Sequence, residues 1–209
     1  MATSTGDSLS RREFGRAMAV AGVGLALPSP GVFAAGSDTV RVAVVGCGER
    51  GTPDAVYCLK SAPGVELVAI ADLFPDKVDA ALAKLRQEVP EKVKVPPERI
   101  FLGFDAYKKV LALDDVHLVM LLTPPGFRPE MVAAAVEAGK HLFVEKPGAV
   151  DPVGVRTLVE ASRKAAQKGL SLVVGTQQRY APQYLELVQR IRDGQIGELT
   201  HLEALWIGD

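Results

Sequence analysis

The sequence predicts an α/β fold in which helices cover both faces of a parallel β-sheet. Short apolar runs typical of strands alternate along the chain with segments of helical periodicity. One run, residues 116–122, is continuously apolar, as expected of a parallel strand buried on both faces. The first run, Val40–Val45, leads into a glycine-rich turn and then a helix. That order is typical of the first unit of a Rossmann-type, doubly wound sheet.

The turn at residues 46–51, Gly-Cys-Gly-Glu-Arg-Gly, has the spacing of a dinucleotide-binding fingerprint. We expect Gly46 to form the tight turn, Gly48 to let the backbone approach a pyrophosphate, and Gly51 to let the helix pack closely on the strand. The N–H groups and positive dipole end of that helix would then face the phosphates. A βαβ unit whose glycines serve packing alone is the alternative.

An acidic residue completes the fingerprint at the end of the second apolar run. Asp72 follows Gly51 by 21 residues, close to the spacing of an acid that accepts hydrogen bonds from the adenosine ribose. Its negative charge favours NAD over NADP, because a 2′-phosphate would meet like charge there. The sequence thus predicts NAD as cofactor, with the following binding residues in this segment: Gly46, Cys47, Gly48, Glu49, Arg50, Gly51 and Asp72.

Composition gives no sign of a charged macromolecular partner. The 209 residues are 48% hydrophobic, and 24 basic side chains nearly balance 25 acidic ones. A net charge of −1 gives no reason to expect binding to nucleic acid or to an anionic membrane. The two cysteines, Cys47 and Cys58, lie on the order of 10 Å or more apart if a helix joins them, beyond disulfide reach. We expect both to be reduced, and we predict no metal site.

Residues 1–36 resemble a twin-arginine export signal. Arg11 and Arg12 are followed at two residues by Phe14, then by a short apolar stretch at residues 17–27 and small residues near position 35. The apolar stretch is too short to span a bilayer. We therefore expect export of the folded chain to the periplasm, without stable membrane association after cleavage. A disordered arm with a chance arginine pair is the alternative.

Apolar periodicity and capping residues predict the remaining elements. Asp105 and Asp151 stand where helix N-caps are expected, whereas Gly139 and Gly169 stand where helices should end. A charged, proline-containing segment at residues 88–98 is predicted to be an exposed loop. The predicted helices cover residues 76–86, 106–111, 129–138 and 152–168, and the later strands cover residues 141–144 and 172–174.

Unusual polar and proline-containing segments follow the carboxyl ends of the predicted strands. In a parallel sheet these ends share one edge, which is where such folds bind ligands. The sequence therefore predicts a single crevice, although surface turns alone would also place polar residues and prolines there. The segments are residues 46–51, Asp72, Thr123-Pro124-Pro125, Glu145-Lys146-Pro147 and Thr176-Gln177-Gln178-Arg179.

These segments resemble the glucose-fructose oxidoreductase / inositol dehydrogenase / MocA family. The most specific match is Glu145-Lys146-Pro147 following Ala-Gly-Lys-His at residues 138–141. The resemblance implies an NAD-binding Rossmann domain over residues 37–180, followed by an α+β substrate domain. Residues 181–209 would supply only a linker helix and a first strand at 199–207. We therefore expect a truncated member that is inactive alone, whose full-length form is a homo-oligomer through the missing sheet.

The same resemblance implies hydride transfer between NAD and a sugar or polyol. Lys146 would lie beside the nicotinamide as the catalytic residue, and further cofactor contacts would come from Thr123, Pro124, Glu145, Lys146 and Gln177. Glu145-Lys146-Pro147 could instead be a loop anchor with a cis Pro147, and Arg128 a solvated residue at a helix start. The alternative functions are an NAD-using glycosidase of the same superfamily and a non-catalytic nucleotide-binding module.

Overall fold

A computed structural model describes residues 38–205 of the chain. The predicted export signal, residues 1–36, lies outside the described residues. The elements described below belong to one unit formed by residues 39–209. No helix of the described segment is long and apolar enough to cross a bilayer.

The core of this unit is a six-stranded parallel sheet with strand order β3-β2-β1-β4-β5-β6. The chain builds outward from β1 in one direction and then, from β4, in the other, so the order reverses between these neighbouring strands. That arrangement confirms the predicted Rossmann-type, doubly wound sheet, which opens a crevice at the carboxyl ends of β1 and β4. The strands are β1 Val40–Val45, β2 Val65–Asp72, β3 Ile100–Leu102, β4 Leu118–Leu121, β5 His141–Val144 and β6 Leu172–Val174.

Helices connect successive strands, with bounds within two residues of the predicted ones in most cases. Three short 3₁₀ turns, Pro90–Lys92, Pro97–Arg99 and Gln177–Tyr180, complete the connections. The α-helices are α1 Gly51–Lys60, α2 Pro75–Glu88, α3 Ala106–Leu111, α4 Arg128–Glu137, α5 Pro152–Gln167 and α6 Pro182–Arg192.

Alternation along β1 shows how the two faces of the sheet are covered. Val42 and Val44 point to one face and join a buried cluster with apolar residues of α1 and α2. Ala43 and Val45 point to the other face and join a cluster with residues of α3, α4 and α5. Because successive side chains of a strand face opposite sides, a strand covered on both sides is apolar at each buried position, as β1 is from Val42 to Val45.

The segment at residues 88–98 corrects the prediction of an exposed loop. Val89 and Val95 are buried, with 3% and 7% of their surfaces exposed. The backbone N–H of Lys94 donates to the carbonyl of Leu67 at 2.8 Å, which ties the segment to β2. The two valines supply apolar cover for the cluster beneath α2. Between them, Glu91 and Lys94 are exposed, whereas the ammonium of Lys92 donates to the carbonyls of Leu59 and Ala62.

The predicted strand at residues 199–207 is wrong for its described part. Residues 199–205 are not in a strand and are exposed, including His201. A strand needs a neighbour to pair its backbone groups, and none is present for this segment within residues 38–205. Helix α6, which precedes it, also buries none of its side chains.

The two predicted N-caps behave differently. Asp151 has extended backbone and its Oδ1 accepts a hydrogen bond from the N–H of Gly154 at 2.7 Å, so it caps α5 as predicted. Asp105 occupies the N-cap position of α3, but its backbone is not extended and its side chain makes no capping bond. Its carboxylate pairs instead with Lys108 on the surface, 2.7 Å away.

Because only Asp151 makes a capping hydrogen bond, replacement by alanine should have unequal effects at Asp151 and Asp105. Asp151→Ala should lower the free energy of unfolding by about 1 kcal/mol, because an N–H of the first turn loses its acceptor. Asp105→Ala, the matched control, should change it by less than about 0.5 kcal/mol, since it removes only an exposed ion pair. Urea denaturation of both variants gives the comparison, and equal losses would contradict the assignment of the cap.

Candidate functional site

A cavity of about 610 Å³ lies at the carboxyl edge of the sheet, beside the glycine turn. Its walls come from the turn after β1, the end of β2, and the loops that follow β3 and β4. The volume is within the range of sites that hold small molecules and cofactors. Eight of the predicted cofactor-binding residues line it: Gly46, Gly48, Glu49, Arg50, Gly51, Asp72, Thr123 and Pro124.

The glycines of the turn occupy positions where a side chain would collide or would protrude. Gly46 has φ +102°, and a Cβ there would lie 2.7 Å from the backbone of Leu122. A Cβ on Gly51 would lie 2.0 Å from the carbonyl oxygen of Gly46. Gly48 is exposed, and a Cβ there would meet no protein atom within 4 Å. Packing therefore accounts for Gly46 and Gly51, whereas Gly48 borders open space where a ligand could approach.

The carboxylate of Asp72 is held by the backbone at both of its oxygens. Oδ2 accepts from the N–H of Cys47 at 2.6 Å, and Oδ1 accepts from the N–H of Phe74 at 3.0 Å. A carboxylate offers about four acceptor positions, so two remain for other donors. Because Asp72 also lines the cavity, these positions suit the paired hydroxyls of a ribose.

The side chain of Cys47 lies in the core beneath the turn and does not line the cavity. It is 4% exposed, and Sγ lies 3.5 Å from the carbonyl oxygen of Ala71. Burial raises the pKa of the Cys47 thiol far above its usual range, and the nearby charge of Asp72 adds to the shift. Both Cys47 and Cys58 are free thiols, as predicted.

Arg50 connects the glycine turn to the segment after β5. Its Nε donates to Oε1 of Glu145 at 3.0 Å and lies 3.0 Å from Oδ2 of Asp54. Glu145 is 2% exposed and Asp54 is 7% exposed. Burial raises the pKa of Asp54; the Arg50 charge opposes this shift and the Glu145 charge adds to it. Glu145 therefore reaches the cavity through Arg50 and does not line it itself.

Arg128 donates hydrogen bonds to the segment that contains Lys146. It is 5% exposed, and its Nη1 donates to the carbonyl of Glu145 at 2.7 Å and also to the carbonyl of Pro147. The alternative of a solvated residue at a helix start is therefore wrong. Burial lowers the pKa of Arg128, and the charge of Glu145 opposes that shift. Sequence reasoning missed this contact, for which the only signal was an arginine at a helix start that follows a strand end.

Lys146 itself is exposed at the carboxyl end of β5. The bond between Lys146 and Pro147 is cis, as the loop-anchor alternative anticipated. Gln177 begins the 3₁₀ turn after β6 and is also exposed. Lys146 and Gln177 thus lie on the predicted edge of the sheet. They follow β5 and β6, on the far side of β4 from the glycine turn, and neither residue lines the cavity.

His117 and His141 lie away from this edge and bond to the backbone. Nδ1 of His117 accepts from the N–H of Arg41 at 3.0 Å, and Nδ1 of His141 accepts from the N–H of Ser171 at 3.0 Å. Within residues 38–205 no group of three His, Cys, Asp or Glu side chains is placed to hold a metal ion.

Comparisons with known proteins agree with this geometry. Residues 40–176 match the model of the oxidoreductase family with an NAD-binding Rossmann fold. A glycosyl hydrolase family 109 protein of Shewanella sp. strain W3-18-1 is 31% identical over 179 residues, which are 85% of this chain and 37% of the relative. An alpha-N-acetylgalactosaminidase of Shewanella oneidensis is also 31% identical, over the same shares of both chains. The chain thus spans little more than a third of these relatives.

Solved structures show the same fold. Scyllo-inositol dehydrogenase from Lactobacillus casei, with bound NAD(H) and scyllo-inositol, aligns with a TM-score of 0.63 at 24% identity, covering 78% of this chain and 43% of that one. A 3-ketoreductase from Actinomadura kijaniata, in complex with NADP and TDP-benzene, aligns with a TM-score of 0.58 at 26% identity, covering 77% of this chain and 46% of that one.

The fold and the glycine turn define a dinucleotide-binding domain of the Rossmann class. More specifically, the chain belongs to the glucose-fructose oxidoreductase / inositol dehydrogenase / MocA family, whose matched segment is its NAD-binding domain. This assignment confirms the family predicted from Glu145-Lys146-Pro147 and the glycine turn.

The contacts of Gly48 and Gly51 predict opposite consequences of adding a methyl group. Gly51→Ala should destabilise the chain by about 3 kcal/mol or more, because α1 must shift away from the carbonyl of Gly46. Gly48→Ala should change stability by less than about 0.5 kcal/mol but should weaken dinucleotide binding. Urea denaturation and calorimetric titration measure the two effects. A Gly48→Ala chain that unfolds as readily as Gly51→Ala would contradict the assigned roles.

Proposed function

We propose that the protein transfers a hydride between NAD and a hydroxyl or carbonyl carbon of a sugar, polyol or related compound. The observation that carries the proposal is the cavity at the carboxyl edge, where open acceptor positions of Asp72 lie beside the glycine turn. Lys146 extends from the same edge at the end of β5. Because the chain spans little more than a third of its curated relatives, the activity and substrate of the whole protein belong to this proposal.

Each part of the edge would have a distinct task. The turn at residues 46–51 would hold the pyrophosphate with backbone N–H groups at the start of α1, and Asp72 would accept hydrogen bonds from the adenosine ribose. When bound, the nicotinamide supplies the acceptor or donor of the hydride. The ammonium of Lys146 would hold the substrate oxygen and assist movement of its proton. Arg128 fixes the backbone on both sides of Lys146 and so would orient it.

The charge of Asp72 predicts a preference between the two nicotinamide cofactors. A 2′-phosphate about 4 Å from the carboxylate would be repelled by between about 1 and 4 kcal/mol, depending on solvent screening. NAD should therefore bind at least about fivefold more tightly than NADP. Asp72→Asn removes the charge and keeps the shape, so it should bring the two affinities closer together. Calorimetry on the chain and this variant measures both affinities, and equal binding by the unmutated chain would refute the charge argument.

A second candidate function is that of an NAD-using glycosidase, which would oxidise and later re-reduce its sugar. It is favoured by the 31% identity to family 109 glycosyl hydrolases and to an alpha-N-acetylgalactosaminidase. Lys146 favours the dehydrogenase instead, as the residue that would hold the hydroxyl being oxidised. The two functions differ in their products, because only the dehydrogenase releases reduced cofactor.

Product formation distinguishes these candidates. Residues 38–209 joined to the substrate-binding part of scyllo-inositol dehydrogenase should produce NADH from a polyol, and Lys146→Ala should lower the rate at least about a hundredfold. Lys84→Ala, which removes an exposed lysine of α2 that does not line the cavity, is the matched control and should leave the rate unchanged. Release of sugar from an N-acetylgalactosaminide without NADH would favour the glycosidase, and full activity of Lys146→Ala would leave its segment as an anchor only.

We also propose that the protein is exported through the twin-arginine route and works in the periplasm. The proposal rests on Arg11, Arg12 and Phe14 in the sequence, and folded export would let the chain bind NAD before it leaves the cytoplasm. Replacing both arginines with lysine should retain the protein in the cytoplasm, as cell fractionation and immunoblotting would show. Unchanged fractionation would count against export by this route.

The proposed form of the whole protein is a homo-oligomer.

A further inference from the structure

Two consecutive backbone N–H groups of the glycine turn, those of Gly46 and Cys47, donate hydrogen bonds to the end of β2. The N–H of Gly46 donates to the carbonyl of Ala71 at 2.9 Å and extends the pairing of β1 with β2 by one residue. The next donor, the N–H of Cys47, lies where the chain leaves the sheet, and its acceptor is a side chain, Oδ2 of Asp72 at 2.6 Å. A buried backbone donor without an acceptor is costly, so this carboxylate completes the turn.

The carboxylate is itself held in place. The N–H of Phe74 donates to Oδ1 at 3.0 Å, so backbone donors from both sides of the strand end fix its two oxygens. Hydrogen bonds to an ionised acceptor are shorter and stronger than those between neutral groups. The acceptor positions that remain are the ones the proposed function assigns to the ribose. One side chain thus contacts both the turn and the place of the cofactor.

We propose that Asp72 is a positioning residue for the glycine turn as well as a ligand of the ribose. It would hold the backbone at Cys47 in its binding geometry before any cofactor arrives. On this view Asp72 raises affinity for the phosphates that NAD and NADP share, in addition to discriminating between the two. The cofactor part of this inference rests on the proposed function; the part that concerns the turn does not.

Cys47 provides a reporter for the turn that does not depend on cofactor binding. Its thiol is 4% exposed beneath the turn, so a reagent can reach it only when this segment opens. Burial and the charge of Asp72 raise the pKa of the thiol, which further suppresses its reactivity. Cys58 is half-buried farther along α1 and makes no hydrogen bond with Asp72, so it serves as an internal control in the same chain.

The test compares Asp72→Asn with Asp72→Ala in the full 209-residue chain. Both variants lose the charge, but asparagine retains an oxygen that can accept from Cys47. Each chain is treated with iodoacetamide, and peptide mass spectrometry follows labelling of Cys47 and Cys58 separately. We expect Asp72→Ala to speed labelling of Cys47 about tenfold or more, and Asp72→Asn by less than about threefold, because a lost bond to a charged acceptor shifts local opening by about this factor. Cys58 should be unchanged.

Other outcomes separate this inference from the proposed function. Unchanged labelling of Cys47 in Asp72→Ala would overturn the positioning role even if NAD affinity fell. Equal acceleration at Cys47 and Cys58 would also overturn it, since that pattern reports general unfolding and not opening of the turn. Selective acceleration at Cys47, in a chain whose unmutated form binds no NAD in calorimetry, would support the positioning role and refute the proposed function.

Discussion

The close approach of Gly51 to the carbonyl of Gly46 determines where the first helix begins. With only 2.0 Å between that oxygen and the position of a Cβ, no other residue fits at Gly51 without moving α1. The helix consequently starts directly above the end of β1, and its first turn borders the cavity. The positions of Arg50 and of the phosphate-facing N–H groups follow from that start. The contact between Gly51 and Gly46 also affects Glu145, which is distant in sequence, because Arg50 donates a hydrogen bond to its carboxylate.

Ionisable side chains are buried at this edge, although burial of charge is costly. Glu145, Arg128 and Asp54 are all more than nine-tenths buried. Paired buried charges add little net stability compared with well-packed apolar groups. We therefore infer that these side chains fix the conformation of the loops. Loops after parallel strands leave carbonyls without partners, and Arg128 satisfies two of them with one guanidinium. The pairs thereby specify how these loops lie on the sheet.

Sequence reasoning succeeded where local chemistry determines the structure. The spacing of the glycines, the cap at Asp151 and the two later strands depend on nearby residues, and each was found where predicted. Sequence reasoning failed where contact with a residue distant in sequence determines whether a side chain is buried. Burial of Val95 depends on β2, and burial of Arg128 depends on carbonyls of another loop. The second bond of Asp72 could not be predicted either, because its donor lies 25 residues away and offers only a backbone N–H.

The two halves of the proposed site are joined by two arginine side chains, Arg50 and Arg128. The cavity is formed by the turn after β1, the end of β2 and the loops after β3 and β4, whereas Lys146 follows β5. Arg50 spans this division, since it belongs to the turn and donates to Glu145, 95 residues later and adjacent to Lys146. Glu145 is too buried to move independently of its loop. A displacement of the turn would therefore reach the backbone beside the proposed catalytic lysine through the guanidinium of Arg50. Arg128 joins the cavity wall to the same backbone, so the geometry of the two halves is interdependent.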